Sequence, residues 1–215
     1  MHRSDDRHYI APPAVTHAHA LLQQLEAHWQ ALRIGDEVPA RADLNPYEIA
    51  QILPHSFVLQ RVAAGTARFR FAGERLHGFL RMDARGMPFS TLFAASDHDD
   101  LRHLLESVFS QPAIIGLPLL SPATLVRPAL EGALLLLPMR DKTGAVTRAL
   151  GAIVAPEETS AKPRRFLLRR DLRCRHERLQ PSSIGLTALL PNLARNGQRP
   201  DTLQRPALRL VVNNG

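Results

Sequence analysis

Apolar positions along this chain change period several times, and each change marks an element. Between residues 16 and 33, Leu21, Leu22, Leu25, Trp29 and Leu32 recur at helical spacing. That pattern predicts an amphipathic helix with Thr16 as N-cap and Gly35 as its stop. A proline-bounded connector, VPARADLNP, follows, and Pro46 opens a short helix through Ile52. HSFVLQRVA and ARFRFAG then read as two strands joined at Gly65-Thr66. In the second strand, strict alternation places Phe69 and Phe71 on one face and Arg68 and Arg70 on the other.

Gly73 closes that strand, Glu74–Leu80 makes one to two helical turns, and Gly86-Met87-Pro88 forbids continuation. The spacing of Leu101, Leu104, Leu105, Val108 and Phe109 predicts a second long helix over Asp97–Ser110, with Asp97, Asp99 and Asp100 at the positive end of its dipole. AIIGLPLLS, RPALEGALLLLPM and VTRALGAIVA are three further strands, the last two joined by an Asp141–Gly144 turn. Two strands, segregated helices and a three-stranded meander predict an α+β fold on a five-stranded antiparallel sheet with helices on one face, plus the N-terminal helix.

Composition adds compartment and charge. The chain has 215 residues and a 45% hydrophobic fraction, enough for one domain with extensions. One cysteine, Cys174, excludes an intrachain disulfide and a Cys-based zinc site. The charged opening MHRSDDRHYIAPP lacks an apolar core for export, and LEGALLLLPM is too short to span a bilayer, so a cytoplasmic protein is expected. The net charge of +7 is uneven: residues 156–215 hold twelve Lys/Arg against five acids, and residues 1–155 are balanced. Three segments are therefore expected: a flexible 1–15, a domain over 16–156, and a basic extension over 157–215.

Several of these segments carry a resemblance. WQALRIGDEVPARADLNPYEI, then LP, RFRFAGERLHGFL, ARGMPFSTLF, LLLLPM and TRALGAIV occur in an order similar to a bacterial PAS-domain family, found mainly in alphaproteobacteria, that includes a motility and cell-cycle regulator. The closing RPALRLVV is also similar. The match covers about residues 20–156. It departs at Glu74, where the family has a small polar residue, and over 166–206. The resemblance implies a curved sheet roofed by short helices, signalling through a partner rather than catalysis, and a pocket between sheet and roof.

Phe69, Phe71, Leu76, His77, Phe79, Met82 and Phe89 are the candidate pocket residues. They line a small-molecule cavity or simply fill a core. Leu22, Leu25 and Trp29 are the candidate dimer or partner face of the first helix. In PRRFLLRRDLRCRHERL, Leu168, Leu172, Arg175 and Leu179 fall on one helical stripe, with Arg169, Arg170 and Arg173 as candidate partner contacts. That segment suits an acidic protein, an anionic surface or nucleic acid, or it packs back on the sheet; interleaved aromatics for base stacking are missing.

Catalytic and cofactor chemistry finds little purchase. His17 and His19, and His98 and His103, have poor spacing for metal, and Asp97-His98-Asp99-Asp100 reads more simply as an acidic helix start. His77 sits where some PAS relatives hold haem, but a surface or hydrogen-bonded histidine is favoured. Cys174 and His176 lie in the basic tail without a substrate cleft, and no flavin-type reactive-cysteine signature occurs. No cofactor, metal or enzymatic activity is expected.

Overall fold

The computed structural model describes residues 13–125, 127–157, 162–172 and 174–179. Helix α1 spans Pro13–Ala31, starting three residues before the expected cap, so Thr16 lies inside it. Proline suits the first helical turn because its missing N–H would be unpaired there anyway. Short 3₁₀ turns at Arg41–Asp43, Pro46–Ile49 and Leu53–His55 lead to strand β1, Ser56–Ala63, and β2, Thr66–Ala72. Asn45 caps the second turn, its side chain accepting from the Tyr47 N–H at 3.2 Å.

Helix α2 is Glu74–Leu80 and helix α3 is His98–Ser110. Between them lie 3₁₀ turns at Phe89–Leu92 and Ala95–Asp97. Strands β3, Ala113–Ser121, β4, Leu130–Arg140, and β5, Val146–Val154, form the meander. The sheet is antiparallel in the order β2-β1-β5-β4-β3. Hence the last long strand is central, wedged between the first hairpin and the other half of the meander.

Two strands beyond the expected five come from the basic tail: β6, Leu167–Leu168, and β7, Arg175–Arg178, both against β3. The helical stripe expected over 168–179 is therefore replaced by extended chain. The physical reason is the β3 edge, whose outward N–H and C=O groups require partners that a helix would not supply. Strand pairing stops between β6 and β7 opposite Pro118. The Arg169 N–H donates to the Pro118 carbonyl at 3.0 Å, so Pro118 presents its own nitrogen to the same side. That nitrogen carries no hydrogen to give back.

Tail residues as far as Leu179 pack on this sheet, Leu168 in one core and Leu179 in the other. Two cores lie on opposite faces of the sheet. The inner one is roofed by α2, α3 and the 3₁₀ turns and includes Phe57, Phe69, Phe89, Phe93, Leu136 and Ile153. The outer one is roofed by α1 and includes Leu25, Trp29, Val58, Leu137, Leu150 and Val154.

The outer core corrects one expectation. Leu25 and Trp29 are both 0% exposed, and the Trp29 indole donates to the Pro138 carbonyl at 2.9 Å. Their apolar surface is spent on the chain's own sheet, not held free for a second molecule. Leu22 is half-buried and packs against the same core.

Both sheet edges are covered. On the β2 side the chain returns after α2, so that Phe69 donates to the Met87 carbonyl at 3.0 Å and accepts from the Gly86 N–H at 2.8 Å. Gly73 is needed where the strand turns into α2, because a Cβ there would lie 2.3 Å from the carbonyl oxygens of Leu53 and Pro54. Gly86, at φ 80°, is needed for the loop that returns to β2, whereas Gly78 sits in α2 with open space around it.

Candidate functional site

The inner face, its roof and the tail strap together make the region where sequence reasoning placed a pocket. Phe69 and Phe89 are fully buried and meet edge-on with centroids 5.6 Å apart. Phe57 lies 5.6 Å from Phe69 and 5.2 Å from Phe89, and Phe93 lies 5.1 Å from Phe89. Four rings at these separations fill the cup of the sheet, three of the pairs edge-to-face and Phe57–Phe89 tilted at 38°. Leu76 and Phe79, from the inward side of α2, complete the roof. Phe57 and Phe93 were missed as members, although Phe57 lies within a predicted strand and Phe93 follows the Gly86-Met87-Pro88 turn closely.

Three of the seven candidates behave differently. Phe71 packs against the outer core, not beside Phe69. The register steps from Val58↔Phe71 to Leu59↔Phe69, so Arg70 is an extra residue that turns the end of β2 over. Met82 is 50% exposed, because Arg81 takes a left-handed φ of 56° and swings the chain away from the roof. His77 is half-buried with both ring nitrogens engaged: Nδ1 lies 3.2 Å from the Ala84 N–H and Nε2 3.1 Å from the Ala72 carbonyl. Nδ1 also lies 3.2 Å from the Met82 carbonyl, so the ring ties α2 to the end of β2 and to the loop that follows the helix.

The tail supplies the element that no local pattern revealed. Phe166 is 0% exposed and meets Phe79 edge-on at 5.2 Å. Its N–H donates to Leu92 at 2.8 Å, its carbonyl accepts from Ala94 at 2.9 Å, and the Arg164 N–H donates to Phe79 at 2.8 Å. The segment is thus stitched to both α2 and the turn that follows. Arg164 is 3% exposed and donates to the Pro128 carbonyl at 3.1 Å. Burial, then repulsion from Arg127, lowers its pKa.

Asp97 anchors the next turn of the strap. Its Oδ2 accepts from the Leu168 N–H at 2.6 Å, its Oδ1 accepts from Ser96 at 3.1 Å, and Arg170 lies 3.6 Å away. The acidic start of α3 therefore receives the tail as well as favouring the helix dipole. Among the described residues no group of three His, Cys, Asp or Glu is placed to hold a metal.

Three tail arginines meet carboxylates, while Arg165 and Arg178 donate to the Thr91 carbonyl and the Gln111 amide. Arg169 makes a two-point contact with Asp171, at 2.7 Å for each bond, and Arg170 pairs with Asp100. Arg175 grips Glu26 of α1 at 2.6 and 2.8 Å and also pairs with Glu177. The bond to Glu26, more than any other cause, raises the Arg175 pKa. Arg173 lies outside the described residues. Cys174 is exposed, its thiol near the carbonyls of Leu172 and Arg169 at 3.5 and 3.7 Å.

A cleft of about 250 Å³ opens beside the filled core, between the β1–β2 turn and α3. Thr66, Ala67, Ser90, His98, Leu101 and Arg102 line it, and none of the seven candidate pocket residues does. Its geometry is held by Glu106, which accepts from the Gly65 N–H and from Arg61, each at 2.7 Å. The hydrogen bond from Ser110, then that from Gly65, holds the Glu106 carboxyl below its usual pKa. His98 Nε2 is buried without a hydrogen-bond partner.

With this architecture established, comparison with known proteins is direct. A family described as the PAS domain matches residues 17–154. The chain belongs to the PAS domain family. Among solved structures it is similar to the periplasmic sensory domain of the Campylobacter jejuni chemoreceptor Tlp1, at 10% identity and a TM-score of 0.28. That similarity covers 66% of this chain and 54% of the other, so the PAS chain spans about half of that domain's length. No curated protein matches it in sequence. No helix of the described residues is long and apolar enough to cross a membrane.

Proposed function

We propose that this PAS protein is a non-catalytic regulator that signals through protein–protein contacts, in motility, cell-cycle or stress control. The observation that carries the reading is the strap. Phe166 enters the roofed core while Arg175 reaches α1, so one tail segment touches the elements on both faces of the sheet. An input that favours the released strap uncovers the β3 edge and loosens α2 and the turn behind it. The shift extends only as far as the input binds one state better. A small ligand in the cleft beside His98 is one such input, and a partner protein or a second copy of the chain is another. A cytoplasmic location belongs to the same proposal.

The rival reading makes the tail a basic adaptor for nucleic acid or an anionic surface. The carboxylate partners of Arg169, Arg170 and Arg175 favour the regulator, because those charges are already neutralised within the chain. Truncation after Ala155 does not separate the readings, since it also removes Phe166 and Leu168 from the core. Asp97→Asn is the cleaner perturbation. In-cell crosslinking of the tagged full chain should yield a protein partner whose capture changes in that variant and persists in raised salt. Capture of nucleic acid or lipid alone, collapsing with salt, would establish the rival. Unchanged motility, division and stress survival after loss of the gene would remove the pathway assignment.

A further inference from the structure

Arg169, Arg170 and Arg175 of the tail are paired with carboxylates, but a second group of arginines on the sheet is not. In one cross-strand row of the outer face, Gln60 of β1 stands between Arg68 of β2 and Arg148 of β5. Arg70, the extra residue of the bulge, donates its Nε to Gln60 Oε1. Three guanidinium groups therefore surround a single neutral amide, with the two row neighbours two strand spacings, or about 10 Å, apart. Arg41 follows Ala40, which bridges Arg140 next to the Met139–Arg148 pair, so its turn lies against the same end of the sheet. Burial first, then repulsion by Arg70, lowers the Arg148 pKa; Arg41 adds to the repulsion and Asp141 opposes it.

None of Arg41, Arg68, Arg70 and Arg148 has an ion pair among the described residues. Arg68 spends one N–H on the Gly86 carbonyl at 2.9 Å. Arg148 Nη1 is buried with no hydrogen-bond partner. Asp141, the carboxylate nearest in effect, is already bonded by Thr143 at 2.8 Å and by Thr147 at 2.6 Å. Like charges placed side by side in a sheet are destabilising, and a buried donor left unpaired costs more. Arg61, Arg75, Arg102, Arg140, Arg169, Arg170 and Arg175 each face a carboxylate, and this set does not.

We propose that the Arg41–Arg68–Arg70–Arg148 cluster on the outer face of the sheet is a binding site for a small phosphate-bearing ligand. Planar guanidinium forks match phosphate oxygens in pairs, and the spacing across Gln60 admits a group presenting oxygens to both sides. Gln60 supplies a neutral amide donor in the middle. The site lies on the face opposite the aromatic core and is separate from the cleft beside α3.

The test is calorimetric titration of inorganic pyrophosphate into the full chain at low ionic strength. One saturable site is expected, weakened about tenfold or more in Arg148→Gln and in Arg70→Gln, and unchanged in Arg85→Gln, an exposed loop control. Thermal melts give an independent readout: Arg148→Met should melt no lower than wild type without anion and lose the pyrophosphate-induced rise. No saturable binding, equal binding by the Arg148→Gln and Arg70→Gln chains, or a lower melting point for Arg148→Met would each overturn the proposal. Binding to nucleic acid or anionic vesicles with none to pyrophosphate would overturn it too.

Discussion

Phe166→Ala is the most searching perturbation of this fold, because the side chain comes from a tail that composition alone would leave in solvent. The residue is fully buried and its ring meets Phe79 at 5.2 Å. Truncating a buried phenylalanine costs about 3–5 kcal/mol, and an edge-to-face pair contributes about 0.5–1.5 kcal/mol beyond burial. With a urea dependence of about 2 kcal/mol per M, the midpoint should fall by about 1.5–2.5 M if strap and core unfold together. If the strap opens as its own unit, the loss is capped at the strap's docking energy. Hydrogen exchange then rises across 164–179 while β4 and β5 stay protected. A double-mutant cycle with Phe79→Ala isolates the ring pair and should return a coupling near its lone contribution. A variant with an unmoved midpoint and unmoved tail exchange would refute the docked strap.

Three further outcomes follow from named contacts. Asp97→Asn weakens the charged acceptor of the Leu168 N–H, so amide exchange at Leu168 should accelerate, with a stability loss of about 1.5–3 kcal/mol measured by urea unfolding. Trp29→Phe leaves the Pro138 carbonyl buried without its indole donor, and should cost about 1–3 kcal/mol without changing the far-ultraviolet dichroism. The hydroxyl and amide of Thr143 and the hydroxyl of Thr147 lower the Asp141 pKa from 3.8 to about 2. The turn therefore gains stability from ionised Asp141 above about pH 4 and loses it as pH falls toward 2; nuclear magnetic resonance titration of the Asp141 carboxyl should show the low midpoint, and a midpoint near 3.8 would refute it.

The elements most legible in sequence were those closed by chemistry at their own ends. α2 and β3 occupy the very residues expected, since Gly73 and the Arg81–Pro88 loop bound the first, and Pro112 and Pro122 flank the second. The β2 alternation failed at Arg70 because a bulge is decided by pairing partners, and strict period two hides it until the register with β1 is known. Burial of Trp29 was equally out of reach: an amphipathic face looks the same whether it meets its own sheet or a second molecule. For the tail, packing back on the sheet was one of the expected outcomes, but its extended form was hidden for another reason. Strands of two and four residues leave no measurable period, and what ordered them was the unpaired edge of β3, a long-range demand.

The gap at Pro118 bears on how the tail can detach. The proximal stretch is held by buried Phe166 and Leu168, whereas every residue of Arg175–Arg178 is exposed and, among the described residues, only Leu179 beyond it is buried. With no ladder continuous between them, separation of the distal portion does not drag the proximal portion along. Under the proposed release, detachment would be graded: a weak stimulus would free the clasp on Glu26, Leu179 and half the β3 margin, and only a stronger one would withdraw the ring of Phe166.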